Sequence, residues 1–117
     1  MKSIFLKIVF TCTVIAMPCS SFAQEAEDDT GRQIFSKKCS GCHGKDGNTA
    51  AFGISRKLVE ISASEMGERL SLFSTDKNLQ NAGGVSGVMS KQVAMLNKQE
   101  FESVLLYIKQ NFATDKQ

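Results

Sequence analysis

Two cysteines three positions apart, followed at once by a histidine, constrain this chain more than any other feature: Cys39-Ser40-Gly41-Cys42-His43. A disulfide between them would close too small a loop to remove much chain entropy. A thioredoxin-like redox pair needs a strand before it and a helix after it; here the residues before the motif read as helix and those after it as loop. A zinc site needs a fourth ligand. An Asp or Glu could supply it, but His43 is the only histidine and no second Cys or His cluster exists. The reading that uses every residue of the motif is covalent attachment of a c-type haem. Two thiols at this spacing can each add to one vinyl group of a porphyrin, and the next residue is then held beneath the iron, where an imidazole nitrogen can bind it. Gly41 keeps the backbone clear of the ring. Cys39 and Cys42 are therefore the expected thioether positions and His43 the expected proximal iron ligand.

The N-terminus reads as an export signal. Lys2 and Lys7 form a short basic start, and residues 8–17 are almost wholly apolar yet too few to span a bilayer as a helix. Pro18 breaks the run, and Ser21-Phe22-Ala23 places small residues where a signal peptidase reads them. Residues 1–23 are the expected cleaved signal peptide, residues 24–117 the expected single domain, and the periplasm its expected location. An uncleaved anchor fits less well, because the run is short and its end looks cleavable. Cys12 and Cys19 leave with the leader; Met17-Pro18 is a poor context for a lipid-modified Cys19. An exported chain that keeps just Cys39 and Cys42 uses them for chemistry or cofactor attachment.

Charge excludes one class of partner. The chain has 14 Lys and Arg against 12 Asp and Glu, a formal net charge of +2. Lys2 and Lys7 account for that excess, so the exported domain is balanced and bulk-charge binding to nucleic acid has no support. A domain this small buries only a modest core, and a large apolar cofactor would supply much of what it lacks.

Helical patterning runs through the rest, with no strand alternation. Residues 24–29 are polar and expected to fray. Asp29 or Thr30 can cap a helix running from about Gly31 into Cys39; with few apolar residues beyond Ile34 and Phe35 it must pack on something else. Residues 44–53 read as loop, and residues 54–61 as a short helical segment. Ser62-Ala63-Ser64-Glu65 matches a capping box, with Ile61 and Met66 as its hydrophobic staple. Met66, Leu70 and Phe73 follow at helical spacing. Residues 75–87, with Gly83, Gly84 and Gly87, read as a long loop of the kind that wraps a ligand. Asn97-Lys98-Gln99-Glu100 is a second capping box, and Phe101, Val104, Leu105, Ile108 and Phe112 share one helical face. The expected fold is all-α: three to four short helices and long loops wrapped around one haem.

With one histidine, a second imidazole ligand from this chain is impossible. The opposite axial position is left to Met66, Met89, Met95, a lysine or nothing. Met66 lies on the apolar face of its helix and reads as core. Met95 precedes the cap Asn97 and can pack as core near Phe101. Met89 follows the glycine-rich stretch, where the chain can pass close to the ring, and is favoured, with Met95 as the alternative.

These residues resemble the class I cytochromes c, particularly the small bacterial monohaem ones. Gly31-Arg32-Gln33-Ile34-Phe35, then Cys39 to His43, then Gly44-Lys45-Asp46-Gly47 look like that family's first helix, haem site and following loop. Gly87-Val88-Met89, followed by Leu96-Asn97-Lys98-Gln99-Glu100, looks like its methionine-ligand segment and last helix, which supports Met89 over Met95. The resemblance implies that Tyr107 packs against Gly31 and Phe35, glycine allowing the two helices to cross closely. The chain also departs from the family. A proline carbonyl often accepts a hydrogen bond from the histidine ligand there, and residues 24–117 contain no proline; a carbonyl between about Phe52 and Ser55 is expected instead. Many members also have proline after the methionine, where this chain has Ser90.

The functional expectation is a monomeric one-electron carrier that meets redox protein partners. It would bind no nucleic acid and have no stable membrane insertion after signal cleavage. Lys91 and Lys45 could steer an acidic partner, although a single surface lysine is more often just solvated. The alternatives are an electron-transfer subunit of a larger redox enzyme, or an open-site haem enzyme or gas sensor. The last would need a polar distal group, and no distal histidine exists.

Overall fold

The computed structural model describes residues 21–116. The leader expected at residues 1–23, with Cys12 and Cys19, lies almost wholly outside them. Among the described residues the fold is all-helical, and no helix is long and apolar enough to cross a membrane.

Helix α1 (Ser21–Ile34) passes without a break into a π-helical turn, Phe35–Cys39, and then into the short α2 (Ser40–His43). The helix is thus already running where fraying and an N-cap at Asp29 or Thr30 were expected. Residues 24–30 contain no helix breaker, and the Asp29 carboxylate accepts from the Arg32 and Gln33 side chains instead of capping a backbone end. The widened π turn falls directly before the cysteine motif; such turns are frequent at functional sites. Gly44, at φ 76°, ends the run, a backbone conformation that glycine adopts without a Cβ penalty. A 3-10 turn at Ala51–Gly53 lies within the expected loop, and a second, Leu58–Glu60, is the short helical segment expected there.

Helix α3 (Ala63–Thr75) starts at Ser62, whose hydroxyl accepts from the Glu65 amide at 3.2 Å. Only half of the expected box forms, because the Glu65 carboxylate turns to Arg56 and Arg69. The C-terminal tail closes the same end: Thr114 N–H donates to the Ile61 carbonyl at 3.0 Å, and Asp115 accepts from the Ala63 amide at 2.6 Å. The staple residues Ile61 and Met66 are both in the core.

The long loop expected at residues 75–87 instead holds α4 (Lys77–Asn81) and the first turn of α5 (Gly84–Ala94). Its polar residues act as helix starts: the Asp76 carboxylate accepts from the Asn78 and Leu79 amides, and Gly83 is the extended residue before α5. Met89 therefore lies within a helix, and the chain has more helical segments than the three or four expected. Helix α6 (Lys98–Phe112) carries a complete capping box between Asn97 and Glu100.

The core forms where α1 crosses α6. Gly31 permits that crossing: a Cβ there would meet the Ser103 carbonyl and stand 2.7 Å from Tyr107 Cβ. Just beyond it, the Phe35 ring lies 5.6 Å from Tyr107 and 4.8 Å from Phe112, and Tyr107 meets Phe112 edge-on. The packing of Tyr107 against Gly31 and Phe35 is the one the family resemblance implies. The remaining buried apolar residues, including Ile34, Leu70, Val93, Val104 and Ile108, extend this cluster towards α3 and α5.

Candidate functional site

A cavity of about 440 Å³ opens from this core, within the roughly 300–1,000 Å³ range of ligand sites. Its walls come from the π turn and α2, the loop after them, and α3, α5 and α6. The π turn and α2 contribute Phe35, Cys39, Cys42 and His43. Phe52, Ile54 and Arg56 come from the following loop, Met66, Leu70 and Phe73 from α3, Val88, Met89 and Val93 from α5, and Val104 and Ile108 from α6.

The cysteine motif thus sits in the wall of an apolar cavity. Cys39 is partly buried and Cys42 exposed, and both are free thiols. Burial pushes the Cys39 thiol up to about 11, against a smaller opposing pull from Lys38. At neutral pH it stays a neutral thiol, the less nucleophilic form. Burial also lowers the pKa of His43, which keeps its imidazole neutral, the form that binds a metal. Of its two ring nitrogens only Nδ1 is sealed from solvent, and it has no hydrogen-bond partner. The carbonyl acceptor expected between Phe52 and Ser55 is therefore not in place. Phe52 adopts φ 55° inside the 3-10 turn, and the carbonyls of Ala50 and Ala51 just before it are taken by the amides of residues 53–55.

The structure also separates the methionines. Met66 and Met89 both line the cavity, Met66 buried at 3 % exposure in the core as its helical face implied, and Met89 half-buried on α5. Met95 is 71 % exposed and outside the cavity lining, so the core role considered for it is not realised. It falls at the C-terminal end of α5, beyond the buried stripe of Gly87, Ser90 and Val93.

Several lining residues carried no signal in the sequence. Phe52 and Ile54 form an exposed apolar lip, 62 % and 78 % accessible; they sit in a loop without periodicity. The charged lining residues are all cations, namely Lys38, Arg56 and Arg69. Arg56 and Arg69 share the Glu65 carboxylate, at 2.6 and 2.8 Å, so that edge keeps a net positive charge. Only the spacing of Glu65 and Arg69, four apart on a helix, could have hinted at it. No group of three or more metal-ligating His, Cys, Asp or Glu side chains occurs among the described residues, so a zinc site gains no support.

These features fit a haem. Its flat apolar ring matches the apolar walls, its two vinyl groups match the two thiols, and its two propionates match a cationic edge. A neutral imidazole and a thioether, both in the wall, match an iron with two axial positions.

The Cytochrome c family model matches residues 29–112, from the last turns of α1 through the end of α6, and the chain belongs to that family. Membership implies a covalently attached c-type haem, with Cys39 and Cys42 in the C-x-x-C-H positions, and points to a haem-binding electron carrier. No curated protein and no solved structure gives a significant match.

Proposed function

We propose that this protein is a periplasmic one-electron carrier whose haem iron is held between His43 and Met89. The observation that carries the reading is that His43, from α2, and Met89, from α5, line one cavity while Met95 is out in solvent; Met66 also lines it but is a member of the buried core cluster, whereas Met89 lies at that cluster's edge. Cys39 and Cys42 tether the ring beside His43. The haem, when bound, supplies a ferric–ferrous couple at one iron. The residues around it do the rest. A thioether opposite an imidazole favours the ferrous state, raises the reduction potential and fills the position that oxygen or a substrate would need. The apolar walls exclude water, and Arg56 and Arg69 are suited to the propionates. Export follows from the leader read at residues 1–23, and cleavage after Ala23 would leave Gln24 as the first residue of a monomer.

Redox proteins are the proposed partners. Lys45 and Lys91 are exposed, and charge of this kind raises encounter rates more than affinity. Such encounters are small and short-lived.

Carbon monoxide tests the ligand set directly, since it binds ferrous haem only where a position is open. Reduced Met89→Ala is expected to bind it readily and reduced Met95→Ala to remain closed. The reverse pattern would move the ligand role to Met95. Optical spectra of oxidised and reduced protein test haem type and thioether ligation together.

A further inference from the structure

Met89 packs against the edge of the hydrophobic core. It is half-buried, on a helix that starts at the glycine pair Gly83-Gly84. The next residue supplies a polar tie for that helix. Ser90 is fully buried, at 0 % exposure, in a stripe otherwise made by Gly87 and Val93. A hydroxyl taken out of water costs free energy unless it is bonded. The Ser90 Oγ–H donates to the Phe73 carbonyl at 2.6 Å, across 17 positions of sequence.

That carbonyl is a particular one. It belongs to the last turn of α3, where carbonyls run out of intrahelical donors. The neighbouring Leu72 carbonyl is taken by the Asp76 amide and the Ser74 carbonyl by the Gln80 side chain. Phe73 is left for Ser90. One hydroxyl thus satisfies itself and a helix end, and it joins two walls of the same cavity, since both Phe73 and Met89 line it. One turn earlier, Gly87 presses on the Ala82 carbonyl, whose carbon would stand 2.9 Å from any Cβ at position 87. Helix α5 is held against α4 at Gly87 and against α3 at Ser90, which fixes its roll about its own axis and so the direction in which Met89 faces.

We propose that Ser90 is the positioning residue for the Met89 thioether, acting through its bond to the α3 terminus. This rests on Met89 being the iron ligand, and the test separates the two claims. Native holoprotein, Ser90→Ala, Met89→Ala and Phe112→Leu are compared, each reduced and titrated with carbon monoxide, with denaturant midpoints and reduction potentials measured alongside. Phe112 is buried against Phe35 and Gly47 and does not itself line the cavity, so its variant is the control for lost stability without loss of the Ser90 bond. Ser90→Ala is expected to raise carbon monoxide affinity about tenfold, the equilibrium equivalent of one buried hydrogen bond, and to lower the reduction potential. Phe112→Leu is expected to lower the denaturant midpoint while carbon monoxide affinity stays within about twofold of native. A Ser90→Ala protein with native affinity and potential, beside a Met89→Ala protein that is open, would overturn the role of Ser90 alone. An equal rise in Phe112→Leu would do the same. A Met89→Ala protein that stays closed would overturn the ligand assignment, and the Ser90 proposal with it.

Discussion

Alanine at position 31 should destabilise this protein although it is the better helix former. Gly31 is buried within α1, where replacing glycine by alanine gains about 0.8–1.0 kcal/mol of helix propensity. The new methyl would have no room: it would run into the Ser103 carbonyl oxygen and stand 2.7 Å from Tyr107 Cβ and 2.9 Å from the Ser103 carbonyl carbon. These are atoms of α6 and cannot swing aside as the tip of a long side chain can. Comfortable carbon contacts need roughly 3.5–4.0 Å, so the two helices must separate by about 1 Å. Overpacking of this kind costs about 1–3 kcal/mol. Separation also loosens the Phe35–Tyr107 ring contact just beyond the crossing, and each such pair contributes about 0.5–1.5 kcal/mol. The propensity gain is outweighed, and the net loss is about 2 kcal/mol. For a domain of this size that lowers the melting temperature by about 8–16 °C. Gly67→Ala is the control, also inside a helix, where a Cβ would meet only the Lys109 side-chain end, at 2.9 and 3.3 Å. That end can move, so Gly67→Ala should leave stability unchanged or raise it by up to about 1 kcal/mol. Thermal and guanidinium unfolding of the two holoproteins measure both effects. A Gly31→Ala protein as stable as native would refute the close crossing.

Three further outcomes follow from the same structure. Replacing both Cys39 and Cys42 by alanine removes both thioether positions, and without the ring the apolar walls of the cavity face water at a cost of about 25 cal/mol per Å² of apolar surface, in a domain whose whole stability is about 5–15 kcal/mol. The double variant should therefore show little native helix by far-ultraviolet circular dichroism, and a cooperative, native-like unfolding transition would count against a haem-filled core. Asn97→Ala breaks the complete capping box of α6 and should cost about 1 kcal/mol in denaturant unfolding, with no change in the haem spectrum. Asp115→Ala removes the carboxylate that accepts from the Ala63 amide at 2.6 Å, at the positive end of α3, and should cost about 0.5–1 kcal/mol, less at high salt.

The parts legible in the sequence were those with one physical solution. The spacing of Cys39, Cys42 and His43 leaves few chemistries, and the structure sets all three in one cavity wall. The face of α6 was readable because Val104, Ile108 and Phe112 recur at helical spacing and all three are buried. Where a local signal has two solutions, tertiary contacts decide between them. Gly83, Gly84 and Asp76 are loop formers, but the same residue types start helices, and contacts among α3, α4 and α5 chose that use. Glu65 could have completed a capping box, but Arg56, nine residues earlier, drew it away, an interaction that exists only once the loop has folded back. The lip formed by Phe52 and Ile54, and the bond from Ser90 to Phe73, depend on tertiary approach alone.

The weak elements explain why site and core coincide. Helix α2 has four residues and α4 five, far below the roughly 12–15 at which an isolated helix becomes marginal in water. Neither can be sustained by propensity, so both persist through what they touch. For α2 the main neighbours are the π turn and the 3-10 turn at Ala51–Gly53, and residues of all three segments line the cavity. A small domain buries too little surface to be generous with its stability, and this one places much of its apolar surface around a space that its own side chains leave open. The ring that carries the electron is therefore also the missing centre of the core. Tethering it through Cys39 and Cys42 keeps that centre in place through any local opening. A change that loosens the haem should for that reason appear in unfolding curves as well as in redox titrations, whereas a change at the α6 cap or the C-terminal tail should appear in unfolding curves alone.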